Sequence, residues 1–246
     1  PEDIEAVAVV KVGAGGNMPG YYMYHGGVNP EGKLTTLMEE QATPMTNYND
    51  MPVKNYDFQA PLGSFGQTRP HYHWLRRVHL LARDFGADLA PMPMFLPEVT
   101  PEGKGDLTTL RWAVRSNGEG GFLFVNNHQR GAALPTHEEV RFSIRTPDGA
   151  LAFAEDPVTV ASGARFIWPF RIALGGGVLL ESATAQLVCR IAEDKVHTLF
   201  FAETPGVRST FAFSDGTKRT VAPGRGVALR LKGTDREIRV VVLGEA

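Results

Sequence analysis

The chain lacks most of the features that would place it outside the ordinary globular proteins. Cys189 is the only cysteine among 246 residues, which excludes an internal disulfide and a multi-cysteine zinc site. Its apolar runs fall far short of the roughly 20 residues that a membrane-crossing helix needs. An excess of one charge is also lacking, because 25 Lys and Arg oppose 27 Asp and Glu. We therefore expect neither a membrane nor a nucleic acid as partner.

The composition that remains predicts a folded, water-soluble protein. Hydrophobic residues make up 43% of the chain and charged residues 21%, close to globular averages. The apolar neighbours of Cys189 predict a buried thiol, and no histidine that could activate it is near in sequence. Because the chain begins at Pro1 without a methionine or a signal-like stretch, we expect its N-terminus to lie upstream. Its localisation is not predicted.

Composition divides the chain into three parts. Residues 1–90 mix helical and strand-like patterns, residues 91–106 form a proline-rich connector, and residues 107–246 are rich in short β-type runs. Residues 4–12 favour a short helix that ends at glycines, although their β-branched side chains favour a strand nearly as well. The aromatic residues 21–24 predict a buried strand.

The most regular pattern of the first part predicts a helix over residues 69–85. Thr68 can cap its start, and Gly86 follows its end. Between the predicted strand and this helix, residues 26–66 show no sustained period and predict a long loop, which in a compact domain is usually functional. The apolar face of the helix recurs every three or four positions, at Tyr72, Leu75, Val78, Ala82 and Phe85.

Short β-type runs separated by turn residues fill the last part of the chain. Turn sequences such as Pro-Asp-Gly at residues 147–149 favour hairpins. The pattern predicts an antiparallel sandwich or two small sheets. The nine runs are residues 110–115, 122–126, 140–145, 165–172, 184–191, 198–202, 209–213, 227–231 and 238–243.

Two motifs in the first part carry a resemblance to a known family. Residues 21–30 read Tyr-Tyr-Met-Tyr-His-Gly-Gly-Val-Asn-Pro, and residues 55–62 read Asn-Tyr-Asp-Phe-Gln-Ala-Pro-Leu. In this order, the two motifs resemble the end of the catalytic barrel in glycoside hydrolase family 35, the β-galactosidases. The likeness is closest over residues 17–91 and looser over residues 110–213, where residues 122–127 look like a strand of the β-domain that follows the barrel.

The resemblance implies a fold that is α/β plus all-β. The chain would be the C-terminal end of a (β/α)8 TIM barrel followed by an antiparallel β-sandwich-like domain. Residues 4–12 would be the seventh barrel helix, residues 21–24 the eighth strand, and residues 69–85 the eighth helix. Two of eight units cannot close a barrel, so we expect either the missing N-terminal barrel portion or self-association to cover the edges of that strand.

The resemblance also implies a substrate and a set of binding residues. The family removes terminal β-galactosyl residues with retention, so a carbohydrate, a β-galactoside, is the expected substrate, and no cofactor is implied. Tyr22 and Tyr56 match tyrosines that line the galactose pocket, and His25 follows the strand at the mouth where barrel enzymes place their chemistry. Phe58, Gln59 and Val28 depart from the family pattern, and each lacks a hydrogen-bonding group that relatives have there.

The catalytic carboxylates of the family have no match in this chain. The nucleophile and the acid/base are both glutamates on strands that would lie upstream of residue 1, so the chain alone is expected to be inactive. Glu39 and Glu40 form an acidic pair in the long loop, but neighbours on one segment rarely converge across a substrate. His71 and His73 point in different directions on a helix, so a shared metal ion is not expected.

Two other functions stay open on sequence grounds. The chain could be a non-catalytic carbohydrate-binding or structural module built on its β-rich part. It could also be a metal-dependent enzyme that uses its histidines, in which case a chelator would change its activity or stability.

Overall fold

The computed structural model describes residues 1–28 and 55–244, and this part of the chain forms mainly β-sheet. Two compact units are present. The first comprises Pro1 with Gly20–Arg76, and the second comprises Glu2–Pro19 with Arg77–Ala246. The pair of glutamates at positions 39 and 40, and most of the predicted long loop, lie outside the described residues.

The helices of the described part are α1, Glu2–Gly13, and α2, Pro70–Leu89. A helix is thus observed where the sequence also allowed a strand. It ends in a Schellman motif, since Gly16 N–H donates to Lys11 O at 2.9 Å and Gly15, at φ 93°, donates to Val12 O at 3.1 Å. Neither helix is long and apolar enough to span a bilayer.

Helix α2 extends beyond its predicted end at residue 85. Gly86 was expected just past the helix, but it lies inside it, and Ala90 N–H donates to its carbonyl at 2.8 Å. The extra turn brings Leu89, 4% exposed, into the core. Burial of this leucine outweighs the roughly 1 kcal/mol cost of a glycine in a helix interior, and the helix stops just before Pro91.

The described strands are numbered β1 to β17 in chain order. They are Gly27–Val28, Asn55–Tyr56, Met94–Phe95, Arg111–Ser116, Gly121–Asn126, His137–Val140, Ser143–Thr146, Gly149–Ala152, Val158–Val160, Arg165–Gly175, Val178–Ala183, Ala185–Glu193, Val196–Glu203, Ser209–Phe213, Lys218–Val221, Leu229–Lys232 and Glu237–Leu243. One strand, β3, falls inside the predicted connector, where Met94 and Phe95 pair with Arg115 and Val114 of β4.

Two larger sheets organise the second unit. The first has seven described strands in the order β15-β14-β11-β10-β5-β4-β3, all antiparallel. The second has four described strands in the order β12-β13-β17-β16. Strands β13 and β17 of this sheet run parallel, with Val196 opposite Glu237. The expectation of purely antiparallel sheets is therefore wrong at this pair, because residues 204–236, which include β14, β15 and β16, connect β13 to β17 and allow the chain to return in the same direction.

Alternate residues of β5 and β10 belong to two different cores. Phe122, Phe124 and Ile167 point into a core that also receives residues from α1, α2 and the four-stranded sheet. Leu123 and Trp168 point into a second core on the opposite face. Burial on both faces explains why β5 is a continuous apolar run with no polar alternation. A β-rich region is thus present where the sequence predicted one.

Buried ions join α1 to the sheet. Glu5, 5% exposed, forms ion pairs with Arg165 at 2.6 Å and with Arg77 at 3.2 Å. Arg115, 1% exposed, donates to the carbonyl oxygens of Val12 and Ala90, which lie at the C-terminal ends of α1 and α2. Its positive charge therefore offsets the partial negative charge at two helix ends. Burial lowers the pKa of the Arg115 guanidinium.

Cys189 is less buried than the sequence predicted. It lies in β12 with intermediate exposure, next to the strand position at which the pairing with β13 shifts register. Partial burial, followed by the nearby Asp84 carboxylate, raises the pKa of its thiol. A raised pKa disfavours the thiolate, so the environment does not activate this cysteine as a nucleophile.

Candidate functional site

Asp57 is the centre of a hydrogen-bonded loop in the first unit. Its Oδ1 accepts a hydrogen bond from the backbone N–H of Ser64 at 2.8 Å, and its Oδ2 accepts one from Arg69 Nη2 at 2.6 Å. The Ser64 N–H, followed by the hydrogen bonds of the Arg69 guanidinium and the Ser64 hydroxyl, holds the pKa of this carboxyl below its usual value. The ionised carboxylate thereby ties the two ends of the segment 57–69 together.

The same loop is fastened to the glycine turn of the other motif. Gly27 pairs with Tyr56, and Val28 pairs with Asn55, across the short ribbon β1–β2. A Cβ atom on Gly26 would lie 2.8 Å from both Asp57 Oδ1 and Ser64 N, so only glycine permits this close approach. The motifs at residues 21–30 and 55–62 are therefore neighbours in the first unit, because the backbone of Gly26 packs against the carboxylate of Asp57.

Three aromatic rings come together on this loop. Phe58 and Gln59 both adopt the left-handed backbone conformation, at φ 50° and 51°. This conformation is uncommon for residues other than glycine, and here the Gln59 N–H donates to Asp57 Oδ2 at 3.2 Å. It places the Phe58 ring 4.5 Å from that of Tyr56 and 6.3 Å from that of Tyr22, measured between centroids. We call Tyr22, Tyr56 and Phe58 the aromatic cluster.

The aromatic cluster faces solvent. Tyr22 is 82% exposed and Phe58 is 52% exposed, which is unusual for large apolar side chains in contact with each other. Tyr56 is half-buried. Exposed aromatic faces with adjacent hydroxyl groups suit ligands that present both C–H surfaces and hydroxyl groups. The sequence-predicted residues Tyr22 and Tyr56 are thus brought together through Phe58.

The predicted strand at residues 21–24 is absent from the described structure. Met23 has φ 65°, which turns the chain out of the extended conformation directly after Tyr22. The turn separates the aromatic side chains into two groups. Tyr22 joins the aromatic cluster, whereas Tyr21 packs on Tyr24, at 5.3 Å between centroids. An expectation of unpaired strand edges at these residues therefore does not apply.

Tyr24 continues into a second aromatic series. Its ring lies 6.3 Å from that of Tyr72, and the Arg76 guanidinium lies 5.8 Å from the centroid of Tyr72. Burial raises the pKa of both Tyr21 and Tyr24. Tyr21, Tyr24 and Tyr72 are each half-buried, so this series packs within the first unit and separately from the exposed aromatic cluster.

His25 is held by its backbone. It forms a parallel bridge with Leu62, flanked by the hydrogen bonds Leu62 N–H to Tyr24 O at 3.1 Å and Gly26 N–H to Leu62 O at 2.6 Å. Its side chain is exposed, and the described residues give its imidazole no hydrogen bond or ring contact. The structure therefore fixes the position of His25 at the rim of the loop without joining it to the aromatic cluster.

The two histidines at the start of α2 differ in environment. His71 is fully buried, and its Nε2 lies 3.1 Å from Gln59 O, whereas His73 is exposed. Desolvation lowers the pKa of His71. The neutral imidazole therefore donates from Nε2 to the strained Gln59 backbone. Among the described residues, no group of three His, Cys, Asp or Glu side chains is placed to hold a metal ion.

No model of a known protein family and no curated protein matches this chain.

Sequence reasoning missed the residues that build the loop. Asp57, Ser64 and Arg69 form one network, and the Ser64 hydroxyl also donates to Asn55 Oδ1 at 2.8 Å. The available signal was the position of Asp57 between two aromatic residues and ahead of the turn residues 63–66, because aspartate commonly caps such turns. At Phe58 the sequence pattern indicates only a missing hydroxyl group, and the ring contacts depend on a backbone conformation that the pattern does not predict.

Proposed function

We propose that this chain is part of a retaining, exo-acting glycoside hydrolase that removes terminal β-galactosyl residues. The observation that carries the proposal is the aromatic cluster, in which Tyr22 and Tyr56, 34 positions apart in the sequence, both contact the ring of Phe58. Tyr22 belongs to the first motif, residues 21–30, and Tyr56 belongs to the second, residues 55–62. The catalytic glutamates would lie in an upstream portion, which is the partner that we propose for this chain.

The proposed function also implies a fold for each part of the chain. Helices α1 and α2 would be the seventh and eighth helices of a (β/α)8 barrel, and the sheets of the second unit would be its following β-sandwich-like domain. The shared core between the two larger sheets supports the sandwich. The aromatic cluster would then stack on the apolar face of a pyranose ring, while the tyrosine hydroxyl groups bond to its rim.

Hydrolysis of 4-nitrophenyl β-D-galactopyranoside tests the fragment claim. We expect no turnover by this chain alone, because a retaining mechanism needs two carboxyl groups about 5 to 5.5 Å apart. Co-expression with the upstream coding sequence should restore turnover. Turnover by the isolated chain would refute the claim, and so would an upstream sequence without two glutamates on barrel strands.

Substitutions in the aromatic cluster test the binding role. In the restored enzyme, Tyr22→Ala and Phe58→Ala should each raise KM for the galactoside about fivefold, because a lost stacking contact costs about 1 kcal/mol. Phe65→Ala is the matched control, since Phe65 is an exposed aromatic residue, 84% accessible, outside the cluster. Equal effects of all three substitutions would contradict the proposed site.

The alternative is a non-catalytic carbohydrate-binding module. The exposure of the aromatic cluster favours this function, because a stacking surface binds sugar without any catalytic acid. The module predicts saturable binding of methyl β-D-galactoside by the isolated chain, observed by ligand-detected NMR, that is lost in Tyr22→Ala. Binding by the isolated chain, together with no gain of turnover on adding the upstream sequence, would favour the module.

A further inference from the structure

A groove lies in the second unit at the place where the second core opens to solvent. It has a volume of about 850 Å³, within the roughly 300–1,000 Å³ that is typical of small-molecule sites. Its floor is the sheet face that carries this core, because Trp112 and Val114 lie on one face of β4 and Phe95 of β3 is the cross-strand partner of Val114. Val114 is 5% exposed, whereas Phe95 is 53% exposed. The apolar face therefore continues to the edge of the sheet, beyond the part that the core covers.

Two segments form the walls of this groove. One is the segment 95–99, in which Leu96 is 61% exposed and Val99 is 70% exposed. The other is β7 with Pro147, and Ile144 of this strand also packs against the second core. Large apolar side chains exposed on one wall, above an apolar floor, indicate a binding surface. They favour a ligand with an apolar body.

The charged residues of this lining are Glu98 on one wall and Arg145 on the other. Arg145 Nη2 donates to Glu98 Oε1 at 2.5 Å, so the pair spans the groove. Their side chains are 84% and 90% exposed, and neither forms another ion pair with a described residue. An exposed pair of this kind contributes little to stability, because water solvates both charges. A ligand can therefore separate the two side chains at low cost and bind each of them.

The two opposite charges select the polar group of the ligand. A lone carboxylate would be attracted by Arg145 and repelled by Glu98, and a lone ammonium group would experience the reverse. A ligand with both groups avoids a like-charge contact, since its carboxylate pairs with Arg145 and its ammonium group pairs with Glu98. Free α-amino acids carry these two groups on one carbon atom.

We propose that this groove binds a zwitterionic amino acid with an aromatic side chain. The ring packs on Phe95 and Trp112, because contacts between aromatic rings add to the gain from burying apolar area. The carboxylate and the ammonium group lie at Arg145 and Glu98. This site requires neither the aromatic cluster nor a galactoside.

The test titrates the whole chain at pH 7 with four indole compounds that differ in their charged groups. Tryptophan carries both charges, indole-3-propionate only the carboxylate, tryptamine only the ammonium group, and 3-methylindole neither. The methyl resonances of Ile144, which lines the groove, are followed by two-dimensional NMR. We expect tryptophan to bind about fivefold more tightly than each of the other three. Equal affinities of tryptophan and 3-methylindole, or no response of Ile144 to tryptophan, would overturn the proposal.

Two substitutions at exposed positions should each remove one of these preferences. Glu98→Gln should bring tryptophan and indole-3-propionate to equal affinity, because the ammonium group has lost its partner. Arg145→Gln should do the same for tryptophan and tryptamine. Glu102→Gln is the control, since Glu102 is exposed and is not part of the lining. Preferences that stay unchanged in both variants would refute the charged contacts and with them the proposal.

Two further variants locate the ring. Phe95→Ala should weaken the binding of all four compounds severalfold, because each compound packs the same indole ring on the floor of the groove. Tyr22→Ala alters the aromatic cluster and should leave their affinities unchanged. Tryptophan binding that persists in Phe95→Ala and is lost in Tyr22→Ala would place the ligand at the aromatic cluster and refute the groove.

Discussion

Arg115 donates two hydrogen bonds to the carbonyl oxygen of Met92, from Nε at 3.1 Å and from Nη2 at 3.0 Å. Met92 follows α2, and the same guanidinium reaches Val12 O at 3.2 Å, at the end of α1. One side chain of β4 therefore satisfies the carbonyl groups that two helix ends leave without intrahelical partners. Its neighbours among the described residues are carbonyl and amide oxygens, and the planar fork of five N–H groups suits such an arrangement.

The first prediction concerns this arginine. Arg115→Met should lower the free energy of unfolding by about 3–5 kcal/mol, because several buried carbonyl groups lose their donor. The free energy of unfolding of Arg115→Lys should lie between those of the wild type and Arg115→Met, since one ammonium group cannot replace all the hydrogen bonds of the planar guanidinium. Urea denaturation followed by circular dichroism gives the values, and Arg225→Met, at an exposed position, is the control that should change little. A loss in Arg115→Met no greater than in the control would contradict this role.

The second prediction concerns the carboxylate that holds the aromatic cluster in place. Asp57→Ala removes the acceptor of the Ser64 N–H and the partner of Arg69, so the left-handed conformation of Phe58 should no longer be maintained. Limited digestion with chymotrypsin should then cut after Phe58 faster than in the wild type, as identified by mass spectrometry. Asp57→Asn keeps an acceptor without the charge and should be intermediate.

The control for this experiment is Asp88→Ala, at an exposed position of α2. It should leave the cleavage rate after Phe58 unchanged. Equal cleavage rates in Asp57→Ala and in the wild type would show that the loop conformation does not depend on the carboxylate.

The parts of the fold that follow periodicity and turn chemistry were accessible from the sequence. The glycines after α1 and the spacing of Leu75, Val78 and Phe85 predicted helices, and the β-type runs predicted about half of the described strands. The predicted run 140–145 is divided between the end of β6 and the start of β7. The two-sided burial of β5 is visible in its unbroken apolar run. These features depend on near neighbours in the chain, and local physics determines them.

The parts that depend on distant contacts were not accessible. Nothing in the sequence distinguishes Arg115 from the other cations before β4 is placed beside two helix ends. The left-handed conformations of Met23 and Phe58 are unexpected for such side chains, and they explain both the absent strand and the position of the aromatic cluster. The parallel pairing of β13 with β17 likewise follows from a long return of the chain.

The third prediction concerns acid stability. Hydrogen bonds from Arg239, followed by those from Arg230, lower the pKa of Glu237 from its usual 4.5 to about 2. Because its pKa is lower in the folded than in the unfolded state, the ionised carboxylate of Glu237 stabilises the fold, and this contribution is complete above pH 4.5. It is lost as the pH falls toward about 2, where the folded protein also binds the proton. Glu237→Gln should therefore lower the melting temperature at pH 7, and the difference from the wild type should vanish near pH 2.

Melting curves recorded from pH 7 to pH 2 check this expectation. Glu119→Gln is the control, because Glu119 is exposed and forms no ion pair with any described residue. The melting temperature of Glu119→Gln should change with pH in the same way as that of the wild type. A constant difference between Glu237→Gln and the wild type at all pH values would contradict the assignment.

The last prediction concerns a polar contact inside the second core. Trp168 Nε1 donates to Thr204 Oγ1 at 2.8 Å, and both residues are buried. Thr204→Val keeps the shape but removes the acceptor, so the buried indole N–H loses its partner and the free energy of unfolding should fall by about 1–3 kcal/mol. Thr204→Ser keeps the hydroxyl group and should be less destabilising, apart from the small cost of one methyl group.

A double-mutant cycle tests whether the hydrogen bond itself carries this loss. In Trp168→Phe, where no N–H remains, Thr204→Val should lower the free energy of unfolding much less than in the wild type. A double-mutant cycle measured by urea denaturation gives this coupling, and a coupling of zero would show that the hydrogen bond contributes nothing to stability.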